Sequence, residues 1–301
     1  MDTQTLKYIG KDLYKTHILK EWKRYIVFMT RCHLHKGQIN DLLDFLKATP
    51  QRQAMLEHTT SFVEQTTRAF FYKDSTWDER IAIVKNHIEY MENIFNDEAI
   101  AKLYVNGERI RLWEDVYEEQ PVVMELWFHG GQRKEGCLSL VLSLGADELY
   151  QIMFWLAPSP EDNEMSLWIG ALQGTPNGSE IIKGLTKAFF GYRTKNLIFY
   201  GIRNVAAGLG CKHLYAVSNA GYYAMNHVRI DRKLKTSLDD FWQECEGQVC
   251  KDQRFFEMPI EEYRKSMEEL KPSKRAQHRR RFAKMDEITE SVTEVLNNYK
   301  K

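Results

Sequence analysis

The residues with the most chemical content lie between Leu167 and Gly178, in the stretch LWIGALQGTPNG. It reads as a strand running into a glycine-bearing loop and then a helix. Glycine lets backbone N–H groups converge on an anion. A helix beginning near Ser179 adds unpaired N–H groups and the positive end of its dipole. Gln173, Gly174, Thr175, Asn177, Gly178 and Ser179 are therefore candidates for holding a phosphate-bearing ligand. The competing reading is a surface loop with ordinary turn glycines. Neither GxxxxGKS/T nor GxGxxG occurs, which argues against a nucleotide-hydrolysing P-loop and a dinucleotide fold.

A second cluster is Val217 to Tyr223, VSNAGYY, where a strand ends and a turn begins. Side chains at the carboxyl end of a strand beside a crossover are well placed for a ligand crevice. Tyr222 or Tyr223 could donate a proton to a leaving group, and Ser218 and Asn219 could orient a polar substrate. The competing reading puts the tyrosines in the core. His129, His213 and His227 follow no HExxH pattern, and no metal site is expected. GxSxG is absent, so there is no nucleophile elbow. Cys211 and His213 are poorly placed for a thiol mechanism, since neighbours in a strand alternate in direction.

A third cluster is basic. Lys271 to Lys284 holds seven Lys or Arg and no acid. Lys274, Arg275, Arg279, Arg280 and Arg281 are candidates for binding an anionic lipid, a phosphate or a protein partner. The alternative is a solvated helix whose charges pair with the acidic Glu261, Glu262, Glu268 and Glu269 or with neighbouring surface.

These clusters sit in a chain of 301 residues with 42 Lys plus Arg against 42 Asp plus Glu. Neutral balance argues against a generic nucleic-acid binder. At 43% apolar residues the chain can bury a real core. Five cysteines with wide spacing make no disulfide framework, and Cys245, Cys250 and His227 make no zinc pattern. No signal-peptide pattern and no run of about 18 apolar residues is present. The cytoplasm is expected, with peripheral contact at the inner membrane left open.

The elements that must position the clusters change type along the chain. Residues 1–100 read as helices. Asn40-Asp41 reads as a cap, Thr49-Pro50 as a break, and Met55, Phe62, Val63 and Phe70 as one helical pattern. Asp74 to Glu79 reads as a helix start. Asn106-Gly107 predicts a hairpin. Strands are expected at Val122–His129, Cys137–Leu144, Ala146–Leu156, Met165–Leu172 and His213–Ser218, with a Gly130-Gly131 turn. Helical patterns fall at 179–190 and 196–209, which makes residues 165–172 and 213–218 a parallel pair. The charged stretch from 259 onward reads as helix. The expected fold is α+β: a helical region over 1–100, a mixed and mostly antiparallel sheet over 101–258, and a charged helical tail over 259–301.

Six stretches in order resemble the VirK/YbjX family of Gram-negative bacteria: LWIGALQG from Leu167, LTKAFFGYRTKN from Leu185, VSNA from Val217, DDFW from Asp239, RFFEMP from Arg254 and KRAQHRRRF from Lys274. Trp77, Glu79, Arg80 and His87 add to the likeness, which covers roughly residues 20–295. The family has His and Tyr adjacent, whereas His87 and Tyr90 are three apart here, so no role for the ring is carried over. The resemblance implies a part in envelope integrity, antimicrobial-peptide resistance or virulence, and no catalytic residue.

The centre of the chain is also similar to the GNAT acyltransferase fold, through its order of strand, Gln-Gly loop, helix, strand and tyrosine-bearing turn. That similarity implies an acyl-CoA or acyl carrier protein donor held by Gln173 to Ser179, with Tyr222 or Tyr223 as general acid. Gly174 follows Gln173 directly and Pro176 removes a donor, both departures from that fold's loop pattern. The acyltransferase reading predicts an open gap between strands 165–172 and 213–218. The envelope-factor reading predicts a filled gap and a use for the basic 271–284 face, with an envelope precursor, an anionic lipid or a protein as partner. Nucleic-acid binding through the basic stretch lacks an aromatic-interleaved strand.

Overall fold

The computed structural model describes residues 3–129, 134–175, 178–226 and 236–301. The expected Gly130-Gly131 turn, Pro176, Asn177 and His227 lie outside the described residues, as do the side chains of Ser179 and Asn226.

The first hundred residues are helical, as their three- and four-residue spacing predicts. α1 (Thr3–Leu13), α2 (Leu19–Leu34), α3 (Lys36–Leu46), α4 (Pro50–His58), α5 (Ser61–Thr67) and α6 (Trp77–Ile94) follow in turn. α7 (Asp97–Ile100) then runs into a π-helical turn, Ala101–Val105. α6 begins where the sequence says. Thr76 and Glu79 satisfy each other's backbone N–H in a capping box. Thr49 caps α4, and Pro50 occupies its first position, where a missing N–H costs nothing.

Three local expectations fail for physical reasons. Asn40 and Asp41 lie inside α3, because Ile39, Leu42, Leu43 and Leu46 form one buried stripe that needs the helix to start earlier. The Met55–Phe70 pattern is two helices, since Thr59 takes extended backbone between them and Phe70 lies past the second. Asn106-Gly107 makes no hairpin. The Asn106 N–H closes the π-helical turn onto the Ala101 carbonyl at 2.8 Å, and Gly107 takes a φ of +66° into the first strand.

The sheet is built from β1 (Arg109–Tyr117), β2 (Gln120–Trp127), β3 (Leu138–Leu144), β4 (Asp147–Pro158), β5 (Met165–Gly174), β6 (His213–Val217), β7 (Gln248–Val249) and β8 (Phe255–Met258). Among the described residues its order is β1-β2-β3-β4-β5-β6-β8-β7. Every neighbouring pair is antiparallel except β5 and β6, which run parallel as expected. The two are joined through α8 (Ser179–Ala188) and α9 (Thr194–Gly208). β1, β7 and β8 went unread in the sequence. The fold is α+β.

Helices cover both sheet faces, so β3 is buried along its whole length. α6 lies on one face, against β4. α9 lies on the other, where Gly201 lets the helix approach Met124 and Leu140. α10 (Asp239–Glu244) precedes β7, and α11 (Pro272–Tyr299) packs on α9 and β1. The helical tail thus begins at Pro272 rather than 259, at a proline suited to a first turn. Residues 299–301 return to the end of α6: the Asn96 N–H donates to the Tyr299 carbonyl at 2.8 Å, and the Lys301 N–H donates to the Ile94 carbonyl at 3.0 Å.

Candidate functional site

Strand register builds an aromatic row. Trp155 of β4 pairs with Trp168 of β5, which pairs with Tyr215 of β6, so all three rings rise from one face. The Trp155 and Trp168 rings lie 6.2 Å apart at 6°, and Trp168 and Tyr215 stack at 4.2 Å. Phe255 meets Trp168 edge-on at 5.0 Å. The polar edges are satisfied: the Trp168 Nε1–H donates to the Ala157 carbonyl at 3.1 Å, and the Tyr215 hydroxyl shares a 3.1 Å bond with Ser159.

Between this row, α6 and the turn after β4 lies a chamber of about 830 Å³. Tyr72 closes one side, 5.2 Å from Phe255. Charged groups stand at the rim, among them Glu79, Glu161, Lys251 and Arg254. Asp252 holds the Arg254 guanidinium through bonds of 2.7 to 3.0 Å. The Tyr72 hydroxyl bonds Glu79; burial first, then that carboxylate, raises its pKa. Apolar walls with a few fixed charges suit a ligand with an apolar body and a polar head.

His213 braces the chamber from behind. Its ring stacks on Tyr215 at 5.7 Å. Nδ1 lies 2.9 Å from Glu257 and Nε2 2.8 Å from Asp162. The Asp162 bond, then the Glu257 bond, outweigh desolvation and raise the imidazole pKa. The ring therefore ties the turn after β4 to β6 and β8.

The second candidate region is where β5 and β6 part. Their pairing ends at Ile169 and Ala216, while β5 continues to Gly174. The expected open gap is absent, because the chain at Glu135 lies on β5. A Cβ at Gly170 would stand 1.8 Å from the Glu135 carbonyl oxygen. The Gln173 Nε2–H and the Tyr222 hydroxyl both donate to one oxygen of Glu135, at 3.3 and 3.1 Å. Burial first, and then the Glu135 charge, raises the Tyr222 pKa well above the usual tyrosine range.

Of the residues singled out from sequence, the structure thus brings Gln173 and Tyr222 together around Glu135, which carried no motif. Ser218 is engaged in the fold: its hydroxyl donates to the Gln253 carbonyl and accepts from the Gly221 N–H. Asn219 is engaged with Ser237, Leu238 and Asp239. Tyr223 is buried between Tyr222 and Phe70. The Thr175 N–H extends the sheet to the Leu149 carbonyl, Gly174 backs onto the Tyr150 ring, and Gly178 precedes α8. Asn177 and the Ser179 side chain are not described.

The basic cluster divides on α11. The Arg281 guanidinium donates to the Phe190 carbonyl, Arg275 to Leu270 and Lys274 to Gln277. Arg279 and Arg280 are exposed. The acids upstream turn to other partners, Glu262 to Tyr192 and Arg203, and Glu269 to Tyr263. Among the described residues no helix is long and apolar enough to cross a membrane.

The chamber went unread because its walls are far apart in sequence. Yet Glu79, Trp168, Arg254 and Phe255 each lie in a stretch already noted, and only the sheet shows them meeting. All four lie within the span that one family model matches. A Haemophilus influenzae protein named only as uncharacterized is 22% identical over 270 residues, 87% of each chain. Uncharacterized protein YbjX of Escherichia coli is 31% identical over 129 residues, 41% of this chain and 38% of that one. No solved structure matches. The family described as "Protein of unknown function (DUF535)" matches residues 17–294, and the chain belongs to that family, the VirK/YbjX family whose motifs it carries.

Proposed function

We propose that the chain is a ligand-binding factor of the cell envelope and that its binding site is the aromatic chamber. The observation that carries this is the meeting of Glu79, Trp168, Arg254 and Phe255 around one cavity of about 830 Å³. The rings take the apolar body of an amphiphilic ligand, and Arg254 and Glu79 orient its head. The envelope setting comes from the family resemblance. A thermal-shift titration with palmitoyl-CoA, CoA, acyl carrier protein and a bacterial glycolipid tests it, since a ligand of the folded state raises stability. A saturable rise that disappears in Trp168→Ala supports the reading. No rise with any amphiphile overturns it.

Acyl transfer is the second reading: the shared Glu135 oxygen at the parting of β5 and β6 favours it, the filled gap counts against it, and a donor could enter only if the Glu135 segment moved off β5. An amine or hydroxyl attacks the thioester carbonyl carbon and its proton passes to Glu135. The C–S bond breaks, and Tyr222 gives its proton to the departing sulfur. Tyr222 regains a proton from Glu135 across their 3.1 Å bond. Protonating Glu135 also removes one cause of the raised Tyr222 pKa, so the acid strengthens when needed. Thiol release from acyl-CoA in the presence of an amine, lost in both Tyr222→Phe and Glu135→Gln, supports this reading. No release by the folded wild-type protein with acyl-CoA or acyl carrier protein donors overturns it.

A further inference from the structure

α2 is apolar on two opposite faces. Phe28 and Cys32 are buried against the neighbouring helices, with Tyr25 half-buried beside them. On the other side Leu19, Trp22, Ile26 and Leu34 recur at helical spacing, and they are exposed by 70, 48, 41 and 77%. Among the described residues, seven of the ten exposed large apolar side chains fall between Tyr8 and Leu34. Such clustering marks an interaction surface, because scattered exposed side chains would need no explanation.

The same region is cationic. Residues 3–36 hold eight Lys and Arg against two acids, in a chain with no net charge. Beside the stripe opens a cleft of about 250 Å³ lined by Lys23, Arg24, Arg31 and Arg68. Two of these cations have acidic partners, Arg24 with Glu21 at 2.6 Å and Arg68 with Glu64 at 3.7 Å, while Glu64 also accepts from the Tyr14 hydroxyl at 2.6 Å. Burial, and then the Arg68 charge, lowers the Arg31 pKa. Lys23 and Arg31 leave the cleft with an excess of two positive charges over its acids, which suits a phosphate.

We propose that this face of α2 docks on an anionic phospholipid bilayer, with Leu19, Trp22 and Ile26 in the interfacial zone and a lipid phosphate in the Lys23–Arg31–Arg68 cleft. A helix with a tryptophan-bearing apolar stripe and basic flanks lies in the plane of a membrane interface. A second copy of the chain is disfavoured, because two-fold pairing would bring like charges face to face. The basic part of α11 offers no such stripe: Met285 is buried and Phe282 half-buried. The proposal stands apart from the chamber and its ligand.

The test is sedimentation of the full chain with vesicles of phosphatidylglycerol and phosphatidylethanolamine, against vesicles of phosphatidylcholine. Binding to the first is expected to weaken by about tenfold or more in Trp22→Glu and in Ile26→Glu, since losing about 1.4 kcal/mol of partitioning gives that factor. Arg31→Glu is expected to weaken it and flatten its salt dependence. Arg279→Glu is expected to bind as wild type. Trp22 and Ile26 are exposed, so unchanged circular dichroism shows those variants fold. Equal binding to both vesicle types overturns the proposal. So does a concentration-dependent dimer that Trp22→Glu dissociates.

Discussion

The Arg254 guanidinium stands 4.8 Å from the centre of the Tyr72 ring, and its Nη1–H donates to the Lys73 carbonyl at 3.0 Å. One side chain thus joins the rim of the chamber to the loop before α6. A planar fork makes these contacts together with the Asp252 bonds, and an ammonium cannot repeat them. Arg254→Lys is expected to lower stability by about 1 kcal/mol and Arg254→Ala by about 2 kcal/mol. Urea unfolding of the three proteins measures both steps.

Gly170 admits no side chain. The oxygen 1.8 Å from its absent Cβ belongs to backbone, so it cannot swing aside. Gly170→Ala must push the Glu135 segment off β5, at about 3 kcal/mol for such overpacking. The Tyr222 and Gln173 bonds to Glu135 would loosen with it. A lowered urea midpoint, with faster proteolysis near Glu135, is the expected result.

His87 is wholly buried, and burial pushes its pKa down to about 3. The Leu156 N–H donates to Nδ1 at 3.2 Å, so the proton sits on Nε2 and is given to the Tyr104 hydroxyl at 2.8 Å. The unfolded state binds a proton below about pH 6.5, while the folded state stays neutral. Stability is therefore full above that pH and falls on acidification, by up to about 1.4 kcal/mol per pH unit from this group. His87→Gln is expected to be less stable at pH 7 and to lose less on going to pH 5. Thermal melts at the two values check it.

His213 works in the opposite sense. Its folded pKa is raised, chiefly by Asp162 and then by Glu257. Its contribution is complete below about pH 6.5 and is lost as pH rises through the raised value. His213→Gln should therefore lower the melting temperature more at pH 6 than at pH 9. Chamber ligands should bind more weakly to that variant at both values, because Asp162 loses its hold on the turn after β4. Equal losses at both pH values in the melts would refute the charged state.

Some of this was legible in the residues. Thr76 and Glu79 announce α6, Pro50 announces α4, and the apolar runs of β2 to β6 announce a sheet with one parallel pair. β8 escaped notice because four residues, Phe255 to Met258, show too little alternation to read. Glu135 escaped because a lone carboxylate in a loop carries no pattern. Its role arises only where Gly170 lets its backbone onto the strand. The chamber was hidden for a related reason. Tyr72, Trp168 and Arg254 sit on three elements that only the sheet order brings side by side.

The contact of residues 299–301 with Ile94 and Asn96 bears on how the protein is made. The helices of the first hundred residues leave the ribosome long before their last backbone partners exist. At about 5–20 residues per second, roughly 10–40 seconds of synthesis separate the two ends of that contact. Throughout that interval the nascent chain carries the end of α6 unpaired, and the strands that cover its apolar face arrive only part-way through. The end of α6 therefore cannot close its backbone contacts until residues 299–301 have emerged, and holding chaperones have a defined window in which to meet it.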